Sequence, residues 1–385
     1  MEKKEKNGEK EKKEINQQNT QNDSSFAKMI YIILLYVFYL FGGLFNEKLV
    51  KTEYEYIDEN NNKNIFKFKY PSISLCLPSI LSFCISSFML KNMKKRYFSS
   101  KIESPILLRD KSIIGILHII SSFSAQTALL YLDFIVKTIG KSCKSASIMF
   151  IYFLNTFSFC NKLLKKLLNN NTKEEKKEKI HMKDVIKVLM TTTSVILFNL
   201  SSNSKKGKES EQSSSYFGII ILLISLFSDG LLSLKESMIK TNIMSENKYE
   251  GYNNLLCWEY MNIFSFFTFC FTFSQIVYNS FFGEYIHIFK IILSNKILIK
   301  DLFSYAVFDV LGQSILYIFL GKYGPLALSM VTSVRKILSI SISILYFGKS
   351  ISFPQSISLI LATSIIFWEI YEKGNKKEIK SKKNE

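Results

Sequence analysis

What the sequence lacks narrows its chemistry first. Its six cysteines (Cys76, Cys84, Cys143, Cys160, Cys257 and Cys270) form no CxxC pair, so spacing supports neither a disulfide framework nor a zinc site. Its three histidines, His118, His181 and His287, are scattered and carry no metal-ligand spacing. The apolar runs hold no glycine-rich nucleotide loop and no cluster of His, Asp or Glu at catalytic spacing. Neither an enzyme, a metal nor a cofactor is therefore expected. A cleaved secretory signal is not expected either, because residues 1–25 offer no apolar segment ahead of a small-residue cleavage site.

What the sequence has is long apolar runs. It is 48% hydrophobic and 14% aromatic over 385 residues, and stretches such as 25–45 and 216–234 show no apolar/polar period. A helix that is apolar all round is buried in protein or in lipid. Crossing a hydrocarbon layer of about 30 Å takes about 20 such residues. Ten candidate spans result: 28–46, 70–91, 112–132, 134–159, 183–201, 216–238, 254–275, 300–321, 325–347 and 352–371. The amphipathic stretch 281–295, with Glu284, His287 and Lys290, is short for a span and is read as interfacial. The expected class is an all-α polytopic membrane protein.

The net charge of +18 raises nucleic acid as a partner. The lysines, however, fall in hydrophilic tails and in loops beside the spans, which fits topology and anionic lipid instead. Residues 1–25 are too polar for a packed core and read as a disordered tail. An even span count puts both termini on one side, together with the basic loops that follow the second and fourth spans. The Lys/Arg excess makes that side the cytosol. Ten spans divide into two halves of five, 26–201 and 216–372, joined by a lumenal connector at 202–215. A second tail covers 373–385. An odd number of spans per half inverts the second half relative to the first, a 5+5 inverted repeat.

Arg335 and Lys336 interrupt an apolar run at its centre, where each charge costs roughly 2.5–3.5 kcal/mol. The fourth span of the first half carries Lys141 and Lys144, one helical turn apart. Basic residues thus occupy matching places in both halves, among small hydroxyl residues such as Thr332. One explanation is pairing with Glu47, Asp133, Asp229, Glu236, Glu259 or Asp309; another is snorkelling, which suits Lys137 better than Arg335. The alternative is an anion site: arginine forks onto phosphate, lysine adds point charge, and hydroxyls donate to the remaining oxygens. A diphosphate or triphosphate suits four cations better than a single carboxylate does. Gln126 and Gln313, polar residues inside spans, are candidates for base or ribose contacts. A non-transporting scaffold would leave the intramembrane cations unexplained.

Four blocks, FGGLFNEKL (41–49), IGKSCKSASIM (139–149), ISLFSDGLLS (224–233) and the long run 311–348 with GPLALSMVTSVRK, resemble the nucleotide-sugar transporters. The resemblance is to the endoplasmic-reticulum UDP-galactose/UDP-glucose transporter-like branch of solute carrier family 35, subfamily B. It implies a drug/metabolite transporter-like fold and exchange of UDP-galactose or UDP-glucose for a nucleoside monophosphate across the endoplasmic-reticulum or Golgi membrane. It also implies that Lys141, Lys144, Arg335 and Lys336 hold the nucleotide phosphates and that Glu47 faces the cavity. Lys137 stands where relatives often carry Gln. That extra cation keeps open an ATP/ADP exchanger, an activity also described in this branch. The chain ends KSKKNE, placing Lys382 and Lys383 in the dilysine pattern by which coat proteins return membrane proteins to the endoplasmic reticulum.

Overall fold

The computed structural model describes residues 2–57, 63–97, 104–142, 209–245, 253–348 and 351–381, with isolated positions between 151 and 198. In chain order the described elements are α1 (Glu2–Lys51), β1 (Glu53–Ile57), β2 (Lys63–Lys67), α2 (Pro71–Tyr97), α3 (Leu108–Tyr131) and α4 (Phe134–Ser142). They continue with α5 (Glu209–Ser245), α6 (Asn253–Phe281), α7 (Glu284–Ser294), α8 (Lys296–Tyr346) and α9 (Phe353–Ser381). In lipid no water satisfies backbone N–H and C=O groups, so apolar runs of this length must close their hydrogen bonds within a helix.

Among the described residues, seven segments are long and apolar enough to cross a membrane: Ala27–Lys51, Pro71–Lys95, Leu108–Tyr131, Tyr216–Ile243, Leu255–Phe281, Lys296–Tyr323 and Ala327–Tyr346. Each coincides with an expected span. The expected spans 134–159 and 183–201 lie mostly outside the described residues, and 352–371 corresponds to α9, whose apolar part, Phe353–Trp368, is shorter. The chain is a multi-pass membrane protein. Helix α1 reaches back through the hydrophilic stretch to Glu2. Its polar composition argues against a packed core there, whereas Lys, Glu and Gln all sustain a helix.

Helix α8 holds two of the expected spans in 51 helical residues. Its contacts with α1 show that the two arms run in opposite directions. Along the first arm, Leu298 packs with Leu49, Phe308 stacks on Phe41 and Phe45, and Tyr323 meets Tyr31. Along the second arm, Val331 packs with Leu35, Arg335 lies over Tyr39 and Ser343 bonds Glu47. The chain therefore reverses between Tyr323, which meets Tyr31, and Val331, which packs with Leu35. Helix α1 is thereby flanked by both arms.

The end of the bundle where α1 stops carries an antiparallel hairpin within 47–69, a stretch expected only as a loop. Strand β1 pairs with β2 in the register Glu53↔Lys67, Tyr54↔Phe66, Glu55↔Ile65, and Lys67 and Glu53 form an ion pair at 2.7 Å. Helix α7 spans 11 residues, about 16 Å at 1.5 Å per residue, too short to cross. It packs Tyr285, Ile288 and Ile292 against Tyr54, Phe68 and Leu49, so hairpin and short helix form one apolar cap.

Elsewhere, small polar residues join helices that face lipid. Ser265 donates to Ser82 at 2.7 Å, and Asn262 donates to Ser86 and Ser87, all between α2 and α6. Such contacts let backbones approach closely and contribute about 0.6–2 kcal/mol each.

Candidate functional site

The intramembrane cations converge where α1, α3, α4, α5 and the second arm of α8 meet. Arg335 sits near the middle of Ala327–Tyr346. Its guanidinium lies 4.0 Å from the ring centroid of Tyr39, and its buried Nε has no hydrogen-bond partner. The ring of Tyr39 rests on Gly312, where an added Cβ would come within 3.1 Å of ring carbons. Glycine at 312 therefore lets the ring sit close to α8 and serve as a seat for the cation.

Neighbouring Lys336 points elsewhere, as the ~100° step between adjacent helical residues requires. Its Nζ donates to the carbonyl oxygen of Lys141 at 3.1 Å, tying the second arm of α8 to the end of α4. Lys141 Nζ pairs with Asp229 Oδ2 at 3.2 Å and reaches Ser121 Oγ at 3.5 Å. Ser121 also donates to Asp229, and Ser225 donates to the Ser121 carbonyl at 2.8 Å. Lys137, one turn before Lys141 on α4, donates to Gln126 Oε1 at 3.5 Å. Gln126 is itself held by a reciprocal amide pair with Asn46, at 2.7 and 3.2 Å.

One further carboxylate enters from the first arm of α8. Asp309 Oδ2 accepts a hydrogen bond from Gln313 Nε2 at 2.8 Å. Its charge acts on both Arg335 and Lys137, although no ion pair within 4.0 Å joins it to any cation among the described residues. Its backbone packs against α1, where a Cβ on Gly42 would lie 3.4 Å from the Asp309 nitrogen, in van der Waals contact.

Four of the expected phosphate ligands or cavity cations, Lys137, Lys141, Arg335 and Lys336, are thus brought into one region. Lys144 lies outside the described residues, as do Lys382 and Lys383. Thr332 spends its hydroxyl on the Ser329 carbonyl at 3.1 Å within its own helix. Gln126 and Gln313 are engaged with Lys137 and Asp309. The pairing explanation weighed for the cations applies in part: Lys141 has Asp229, while Arg335 has an aromatic face and no carboxylate within ion-pair distance among the described residues.

Glu47 is fully buried beyond this cluster, at the hairpin end of α1. It accepts from Ser343 Oγ at 2.7 Å and pairs with Lys51 at 3.0 Å, and Lys51 also pairs with Asp133 at 2.8 Å. Beside them Lys48 pairs with Asp301 at 2.9 Å. Asp301, 1% exposed, accepts at its other oxygen from Tyr54 at 3.1 Å. Burial, and then the Asp301 charge, push the Tyr54 phenol well above its ordinary range, so it remains a donor. These contacts join α1, β1, α4 and both arms of α8 at one end of the site. Asn46 and the Lys48–Asp301 pair carry no local sequence mark; their partners are 80 and 253 residues away.

A bundle of membrane-spanning helices around a buried cationic cluster suits a carrier of anions. Residues 174–373, more than half of the chain, match the UAA transporter family. The chain belongs to that family. A "UDP-galactose transporter homolog 1" of Candida glabrata is 23% identical over 337 residues, covering 83% of this chain and 87% of the relative. "Solute carrier family 35 member B1" of Dictyostelium discoideum is 24% identical over 344 residues, covering 89% and 76%. A shorter match, 26% over 78 residues, covers 20% of this chain and 18% of "Adenosine 3'-phospho 5'-phosphosulfate transporter 1" of Caenorhabditis elegans. Membership of the UAA transporter family makes this a nucleotide-sugar transporter-type protein and agrees with the resemblance read from the four sequence blocks. The matched interval contains Asp229, Asp309, Arg335 and Lys336; Lys137 and Lys141 precede it.

Proposed function

We propose that the protein is an antiporter that carries UDP-galactose, UDP-glucose or both into the lumen of the endoplasmic reticulum or Golgi in exchange for a nucleoside monophosphate. The observation that carries this reading is the convergence of Lys137, Lys141, Arg335 and Lys336 where α1, α3, α4, α5 and the second arm of α8 meet, with Asp229 on Lys141 and Asp309 acting on Arg335 and Lys137. A UDP-sugar and a nucleoside monophosphate each carry about −2 at neutral pH, which suits a cationic cluster. Arg335, with its Nε unpartnered, supplies the fork for one phosphate, and Lys336 and Lys141 supply charge to the other.

The two halves would rock around this site in alternating access. The helix packing supports a 5+5 inverted arrangement. Helix α1 packs along the first arm of α8, and α5 packs along α3; α2 packs along α6; α2 also meets α8, and α6 meets α3. Exchanging the halves, α1 for α5, α2 for α6 and α3 for the first arm of α8, maps this set of contacts onto itself. The lysine-rich loops support a cytosolic position for both termini, where Lys382 and Lys383 would meet coat proteins.

ATP/ADP exchange rested on the extra cation Lys137. That charge is offset by Asp309 and engaged by Gln126, which weakens the case for a more highly charged substrate. The test is uptake of labelled UDP-galactose, UDP-glucose and ATP into proteoliposomes preloaded with UMP or with ADP. UMP-stimulated uptake of a UDP-sugar is expected; ADP-stimulated uptake of ATP alone would overturn the assignment.

A further inference from the structure

We propose that Asp309 is a specificity-determining residue that sets the substrate's charge. Its carboxylate limits the negative charge that a bound nucleotide can carry and disfavours nucleotides with more phosphate. The inference rests on the transport reading above and adds a residue that the motif blocks do not mark for this role.

Asp309 lies on the first arm of α8 one turn before Gly312, the glycine on which the Tyr39 ring rests, and that ring in turn seats Arg335. Gln313, one turn further, donates to Oδ2 at 2.8 Å and fixes the carboxylate's direction. Its backbone lies in van der Waals contact with α1 at Gly42. The carboxylate acts on Arg335 and on Lys137 with no ion pair to either within 4.0 Å. Lys137 is supported in turn by Gln126 and the Asn46–Gln126 amide pair. Asp309 and Lys137 are thus opposite charges positioned at the cation cluster.

A fixed negative charge beside a bound anion repels each ligand charge in proportion. At an effective dielectric constant near 20 and a separation of several ångströms, each extra ligand charge is worth about one power of ten. ATP carries about two more negative charges than a UDP-sugar. Removing the Asp309 charge should therefore favour ATP over UDP-galactose by tenfold or more.

The experiment uses the full chain in proteoliposomes, comparing wild type with Asp309→Asn, Asp309→Glu and Lys137→Gln. Two quantities are read for each protein: initial uptake rates of subsaturating labelled UDP-galactose and ATP, and the concentration of each nucleotide that half-saturates thermal stabilisation. Asp309→Asn is expected to raise the ATP to UDP-galactose ratio at least about tenfold in both measurements. Asp309→Glu should keep the ratio near wild type, and Lys137→Gln should lower it. An unchanged ratio in Asp309→Asn, with stabilisation by UDP-galactose retained, would overturn the proposal and reduce Asp309 to a structural residue. Loss of all ligand stabilisation in Asp309→Asn but not in Asp309→Glu, with no shift in preference before saturation, would overturn it as well. If wild type is neither stabilised by nor transports either nucleotide, the transport reading itself fails, and this shows in the parent protein rather than in the variants.

Discussion

The guanidinium of Arg335 lies 4.0 Å from the centre of the Tyr39 ring, on the face of α1 that both arms of α8 enclose. An arginine in the middle of a membrane span is costly, and here an aromatic face rather than a carboxylate supports it. A cation held by a ring keeps its in-plane donors available, which an arginine already forked onto a carboxylate would not. In the proposed antiporter the Arg335–Tyr39 pair would serve as a holder for phosphate.

Removing the ring should weaken the holder without removing the charge. Cation–π support is worth about 0.5–2 kcal/mol, so Tyr39→Leu should raise the apparent KM for UDP-sugar about 2- to 30-fold. Tyr39→Phe keeps the face and should stay close to wild type. Equal effects of the two substitutions would assign the role to the hydroxyl instead.

Arg335→Lys preserves charge and loses the fork. Bidentate geometry is what separates the two side chains at phosphate. Arg335→Lys is expected to reduce uptake at subsaturating UDP-galactose by about tenfold or more, consistent with losing a charge-assisted hydrogen bond of about 1.5–3 kcal/mol. Full activity in Arg335→Lys would show that only charge matters at this position.

Exchange of one dianion for another moves no net charge. A potential of 100 mV is worth about 2.3 kcal/mol per elementary charge carried across. UDP-galactose uptake into UMP-loaded vesicles should therefore be insensitive to a potassium–valinomycin potential. A severalfold dependence of the rate on that potential would mean that unequal charges are exchanged.

The Lys48–Asp301 pair should stabilise the hairpin end. Lys48→Met leaves the buried Asp301 carboxylate with its hydrogen bond from Tyr54 and no paired cation among the described residues, and should destabilise the protein by on the order of 2 kcal/mol, read as a lower Tm. Lys48→Met combined with Asp301→Leu removes the stranded charge and should recover part of that loss. A double variant as unstable as the sum of its singles would show that the two residues act independently.

Much of this architecture was legible in the sequence, because lipid imposes one solution on apolar runs of about 20 residues. The seven spanning helices fall where uniform hydrophobicity places them. The cations Lys141, Arg335 and Lys336 were legible for the same reason, as charges where charge is expensive. The partners were not. Which carboxylate meets which cation depends on packing between distant segments: Lys141 takes Asp229 on α5, Lys51 takes Asp133 beside α4, and Asp309 stands off from both of its cations. The hairpin was obscured in a different way. EYEYI alternates as a strand does, but KNIFK sets Ile65 beside Phe66 and alternates only in burial, and five residues are short beside the spans around them. Helix α7 contributes to the cap that covers them, and the stretch containing it was read as a separate interfacial segment.

In the proposed antiporter the cation cluster at the meeting of α1, α4 and α8 binds the phosphates of the exchanged nucleotide. The most direct test compares labelled UDP-galactose uptake into UMP-loaded and empty proteoliposomes, for wild type and for Arg335→Ala/Lys336→Ala. The account predicts fast uptake only with wild type and only into loaded vesicles, with the double variant still folded but no longer stabilised by UDP-galactose. Undiminished uptake by the double variant, or equal wild-type uptake into empty and loaded vesicles, would contradict it.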